Sequence, residues 1–134
     1  MKSKIIIVLA VFTTFFSCKN EAKEETKISE NTVQTDIQLI QFHTEHRCVT
    51  CNNIEKLSKE TIKGNEAISF VLYNVDDEKN AKVAEQFEAS GTSLYLYNSK
   101  TKATKDLTEM AFKYAKNEGD KFKTELQKEI SAFK

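Results

Sequence analysis

The chain has 134 residues, with 20 Lys and Arg against 20 Asp and Glu, 40% hydrophobic residues, nine Phe, three Cys and no Pro. That apolar content is too high for a disordered chain, and three Cys are too few for a framework of disulfides. Residues 37–134 hold 15 basic and 15 acidic side chains, which gives no electrostatic drive toward nucleic acid or an anionic membrane surface.

Met1-Lys2-Ser3-Lys4 is a short basic start, and the apolar run Ile5 to Phe16 follows it. A span needs about 20 residues of helix, so the run is too short to cross a bilayer and fits the core of a secretory signal. It ends at Phe16-Ser17-Cys18, which resembles a bacterial lipoprotein signal in which the Cys becomes the acylated first residue. Such signals usually carry Leu three positions before the Cys, where this chain has Phe15. The expectation is a signal peptide over 1–17, a lipid anchor on Cys18 and a location in the bacterial cell envelope, outside the cytoplasm. Residues 19–36 carry three Lys and five acidic residues with Ala22, Ile28 and Val33 as the apolar ones. So little apolar surface cannot offset ordering entropy, so 18–36 reads as a lipidated Cys and a polar flexible tether. The folded domain is then 37–134.

Ile37 to His43 has branched and apolar residues on both faces, as a covered strand does. A helix begins near Cys48 to Asn52, with Cys51, Ile54, Leu57 and Thr61 on one face, and Gly64-Asn65 ends it. Ala67 to Tyr73 reads as a central strand. Asn74 to Asp77 offers caps for a helix over 78–89, with Val83, Ala84 and Phe87 as its buried stripe. Leu94 to Tyr97 is a strand with leucines on one face and tyrosines on the other, and 103–107 pairs back as a short hairpin strand. Residues 109–116 read as helix. Asp120 is a cap for a last helix carrying the stripe Phe122, Leu126, Ile130 and Phe133. This order implies an α/β sandwich, with the two opening strands parallel and helices on the sheet.

With Cys18 used for acylation, the remaining thiols are Cys48 and Cys51, spaced as Cys-Val-Thr-Cys. That spacing is one helical turn, so the sulfurs can form a disulfide or share a metal. A pair between a strand and a helix of a βαβ pattern is the context of a redox dithiol, and an exported compartment permits disulfides. At a helix start, free N–H groups and the dipole favour a thiolate on Cys48, and Arg47 adds positive charge. Cys48 is thus the expected attacking thiolate and Cys51 the resolving thiol. A permanent disulfide stapling the helix start is the structural alternative, although so small a loop contributes little by chain entropy. His43 and His46 are the two histidines of the chain and both lie within five residues of Cys48. They can tune the thiolates by proton exchange, serve only the strand end and the solvent, or join Cys48 and Cys51 as a metal-ligand set suited to Zn²⁺ or Cu(I).

The stretches DIQLIQFH, CVTCNNIEK, SFVLYNVDD and GTSLYLYN together resemble a thioredoxin-like domain. More narrowly, FHTEHRCVTCNNIEKLSKE and the tail LTEMAFKYAKNEGDKFKTELQKEI resemble the nitrophenyl compound nitroreductase subunit ArsF family. The resemblance covers roughly residues 37–134 and implies a mixed sheet flanked by helices. It also implies a setting in the reduction of nitroaromatic or arsenical compounds.

Thioredoxins usually carry a Trp before the first Cys, a buried Asp six positions before it and a cis-Pro opposite the dithiol. Here those positions hold Arg47, Phe42 and about Ser93, and a chain without Pro has no cis-Pro loop. Its absence weighs against general protein-disulfide reduction. The three glycines, Gly64, Gly91 and Gly119, are too scattered to cradle a phosphate. The only redox group expected is the Cys48–Cys51 disulfide, with electrons from a partner protein or a small thiol. The expectation is a membrane-anchored thiol–disulfide redox protein. The alternative is a dithiol module that binds a thiophilic metal or a trivalent arsenical.

Overall fold

The first strand forms because its apolar side chains fall on both sides of the pleat. In Ile37–His43 (β1), Leu39 packs on one side while Ile40 and Phe42 pack on the other, so the strand needs a covering layer on each face. The computed structural model describes residues 35–133, which fall within one unit, Asn31–Lys134. The signal segment, Cys18 and the tether as far as residue 34 lie outside the described residues.

After β1 come α1 (Val49–Ile62), β2 (Ile68–Asn74), a 3-10 turn (Glu78–Asn80) leading into α2 (Ala81–Gln86), β3 (Ser93–Asn98), β4 (Thr104–Asp106), α3 (Thr108–Ala115) and α4 (Gly119–Ala132). The sheet order is β2-β1-β3-β4. β1 and β2 are parallel, with Ile37 opposite Ile68 and His43 opposite Asn74. β3 runs antiparallel to β1, with Phe42 opposite Ser93, and β4 antiparallel to β3. The fold is an α/β sandwich of the thioredoxin-like type, a mixed sheet between helices, without a cis-Pro loop.

One face of the sheet is covered by α1, α3 and α4. Leu39, Ile54, Leu94, Leu96, Phe122 and Leu126 meet there with no exposure, and burying each side chain of this kind contributes about 1.5–3 kcal/mol. The other face is aromatic: the Phe42 ring lies 5.6 Å from Tyr73, 5.5 Å from Phe87 and 5.9 Å from Tyr95, with Ala84 of α2 beside them. Leu94 and Leu96 therefore face one layer and Tyr95 and Tyr97 the other, as the alternation of β3 predicts. Among the described residues no helix is long and apolar enough to cross a membrane.

Several boundaries differ from the sequence expectation for local reasons. The buried stripe of α1 is Cys51, Ile54 and Ser58, while Leu57 is only partly covered. The helix expected over 78–89 is split. The Asp77 carboxylate accepts from Lys79 N at 3.0 Å and caps a 3-10 turn first. α2 then stops at Gln86, and Glu88 takes a left-handed conformation at φ 52°. Asp120 does not cap α4; Glu118 holds that place without a side-chain bond, and Asp120 sits in the first turn, where an acid complements the helix dipole. Thr35 and Asp36, at the expected end of the tether, engage the domain. The Thr35 hydroxyl donates to the Ile37 carbonyl at 2.7 Å, and Lys100 reaches the Asp36 carboxylate at 2.7 Å.

Candidate functional site

The end of β1 and the start of α1 bring the two thiols together. Cys48 is the N-cap of α1: its backbone is extended, and its Sγ accepts from the Cys51 backbone N–H at 3.3 Å. One turn on, Cys51 faces the sheet. The two Sγ atoms lie 2.7 Å apart without a bond between them, against about 2.05 Å in a disulfide. Cys48 is exposed, whereas Cys51 is 5% exposed. The outer sulfur can therefore meet a partner, while the inner one is enclosed by the domain.

The Cys48 thiol is held below its ordinary pKa. The Cys51 side chain hydrogen-bonded to its sulfur is the largest cause, followed by the Cys51 backbone N–H, with a smaller push upward from burial. Because a thiolate only accepts, the Cys51 S–H is the donor in that state. The sequence pointed to helix-start N–H groups and Arg47; the backbone N–H contributes, but the neighbouring thiol is the larger cause and Arg47 is not among the causes.

Arg47 is placed differently from its expected role beside Cys48. Its guanidinium turns to α1, where Nη2 meets Glu55 Oε2. Nη2 lacks an aligned hydrogen bond and Nε has no partner, so the contact is an ion pair. Glu55 also takes Lys59 Nζ at 2.8 Å. His43 ends β1 with its ring partly buried and Nδ1 2.8 Å from the Thr44 carbonyl. A carbonyl only accepts, so Nδ1 carries the hydrogen. His46 is exposed, and its backbone carbonyl accepts from the Thr44 hydroxyl at 3.0 Å. Among the described residues no three of His, Cys, Asp and Glu converge in a group that could hold a metal ion. The structure thus brings Cys48 and Cys51 together and leaves His43, His46 and Arg47 outside their hydrogen bonds.

Two residues of the site were not singled out by the sequence. Gln41 in β1 is fully buried, and its Nε2 donates to the Cys51 carbonyl at 3.0 Å while Oε1 has no partner. Phe42, at the position where thioredoxins carry Asp, belongs to the aromatic layer on the opposite face. The buried polar group beneath the dithiol is therefore Gln41, one residue earlier. Thr92, in the loop before β3, places Oγ1 3.1 Å from Cys51 Sγ. The sequence directed attention to Ser93, but Ser93 is already the first residue of β3, paired with Phe42. A polar residue in a covered strand was the available signal for Gln41. Thr92 had only its place in the loop opposite the pair.

No family model matches the chain, and no curated protein matches it. Among solved structures, one described as the structure of a malarial protein aligns at 20% identity over 58% of this chain and 93% of that chain, with a TM-score of 0.42.

Proposed function

We propose that this chain is a membrane-anchored, extracytoplasmic thiol–disulfide redox protein whose Cys48–Cys51 pair cycles between dithiol and disulfide. The observation that carries the reading is one exposed and one buried sulfur converging to 2.7 Å at a helix start. In the reducing direction the Cys48 thiolate attacks one sulfur of a substrate disulfide. A bond forms between Cys48 Sγ and that sulfur, and the other substrate sulfur leaves as a thiolate. Cys51 then gives up its proton and attacks Cys48 Sγ, closing the protein disulfide and releasing the second thiolate. Two electrons have passed to the substrate, and a partner protein or a small thiol restores the dithiol.

The resemblance of residues 37–134 to the ArsF family adds a setting. In that setting the dithiol supports reduction of nitroaromatic or arsenical compounds, with Cys18 carrying the lipid that holds the domain at the bacterial cell envelope. The test is trapping. Cys51→Ser leaves Cys48 able to form a mixed disulfide but unable to release it, so covalent adducts through Cys48 accumulate. Cys48→Ser accumulates few, because Cys51 is buried. Equal trapping through either thiol, or none through Cys48, contradicts the proposal.

A further inference from the structure

We propose that Thr92 is a catalytic residue of the dithiol: its hydroxyl donates a hydrogen bond to Cys51 Sγ and stabilises the thiolate that forms there whenever the Cys48–Cys51 bond opens. The proposal rests on the redox reading above. It starts from the buried sulfur. Cys51 is 5% exposed, so water cannot solvate a charge on it, and a buried anion needs a donor. Three groups surround this residue. Gln41 Nε2 is committed to the Cys51 backbone carbonyl at 3.0 Å, and the remaining Gln41 Oε1 is an acceptor, of no use to an anion. Cys48 lies 2.7 Å away, but once its sulfur is bonded to a substrate it has no hydrogen to give. Thr92 Oγ1, 3.1 Å from Cys51 Sγ, keeps its hydrogen through every step. Ser93 follows it directly and is fixed by pairing with Phe42 of β1, so the hydroxyl is positioned by the sheet.

In the opening direction an external thiolate attacks Cys48 Sγ, the exposed member of the disulfide. The new bond forms to Cys48, the Cys48–Cys51 bond breaks, and its electron pair moves onto Cys51 Sγ. The Thr92 O–H points at that charge until a proton from solvent neutralises it. In the closing direction the same contact favours the Cys51 thiolate that attacks the mixed disulfide. Both passages go through the same buried anion. Losing the hydroxyl therefore slows both, and leaves the balance between the disulfide and the dithiol, in which Cys51 carries its proton, nearly unchanged.

The test uses the full chain with glutathione as reductant and oxidised glutathione as oxidant. Rates are read by acid quench and peptide mapping of Cys48 and Cys51, and melting midpoints check the fold. Thr92→Val is expected to slow both disulfide opening and closing roughly tenfold, a scale consistent with hydrogen bonds to charged groups. The reduction potential and melting midpoint stay near wild type, and Thr92→Ser recovers the rates. A folded Thr92→Val protein with wild-type rates overturns the role of Thr92 while leaving the redox reading standing. A slowing that Thr92→Ser does not recover also overturns it, since packing rather than the hydroxyl is then responsible. If Thr92→Val does not fold, Thr92→Ala against Thr92→Ser makes the same comparison. A wild-type pair that never closes in oxidised glutathione overturns the redox reading, and this proposal with it.

Discussion

The helix start treats Cys48 and Cys51 differently. Cys48 holds the cap and gathers hydrogen bonds on its sulfur, while Cys51 one turn later is turned into the domain. The largest cause of the lowered Cys48 pKa is the Cys51 side chain. Cys51→Ala is therefore expected to move the pH profile of Cys48 alkylation upward, toward that of a free thiol near about 8.5. An unchanged profile, followed with a small alkylating agent and peptide mapping, contradicts this account of the thiolate. A depressed folded pKa makes the reduced Cys48 contribute stability fully above its unfolded pKa, and that contribution is lost as pH falls through the folded value. These two residues were legible because their spacing is one helical turn next to a strand end. Gln41 and Thr92 were not. A Gln in a covered strand reads only as a change of face, and Thr92 meets Cys51 across 41 positions of sequence, a contact that no local pattern encodes.

Helix α1 carries the site, and its two ends are held by different physics. At its C-terminal end Lys63 leads into Gly64, whose φ of 81° is left-handed, and Asn65 N donates to the Ile62 carbonyl at 2.9 Å. An added Cβ at Gly64 would meet nothing within 4 Å. The cost of Gly64→Ala is therefore the backbone alone, about 1–2 kcal/mol. It should appear as a lower denaturant midpoint at unchanged slope; a midpoint equal to wild type contradicts the assignment. Toward the N-terminal end Glu55 draws Arg47 and Lys59 together. Burial raises its pKa, but the Lys59 hydrogen bond, the close Arg47 contact and the charges of both outweigh that and hold it below the usual carboxylate range. Its contribution is present above the unfolded value and lost as pH falls through the lower folded one. Glu55→Gln should flatten the acid limb of the stability curve in that window, and an unaltered limb counts against the pairing. The strands and long helices were legible from alternation and three-to-four periodicity. The ends of α2 and α4 were not, since Asp77 starts a 3-10 turn and Asp120 sits inside the first turn rather than before it.

At the scale of the molecule, element order alone pointed to the α/β class. A strand–helix–strand start followed by a hairpin and a closing helix leaves few ways to cover both faces of one sheet. The sheet order β2-β1-β3-β4 puts β1 second, with β3 beside it. The end of β1 and the loop entering β3 thereby converge on the start of α1, and Cys51 comes to lie between Gln41 and Thr92. The site is a product of topology, which is why its centre could be read from one motif and its surroundings could not. The proposed cycle requires the pair to be a reversible two-electron couple. Equilibrating the full chain across graded glutathione buffers, with Cys48 and Cys51 read by differential alkylation and peptide mapping, tests it directly. A reversible couple gives one transition in which both thiols are lost together into an intramolecular disulfide, with about 30 mV per tenfold change in the ratio of forms. Thiols that stay reduced across the whole range, or that are lost independently of each other, would contradict it.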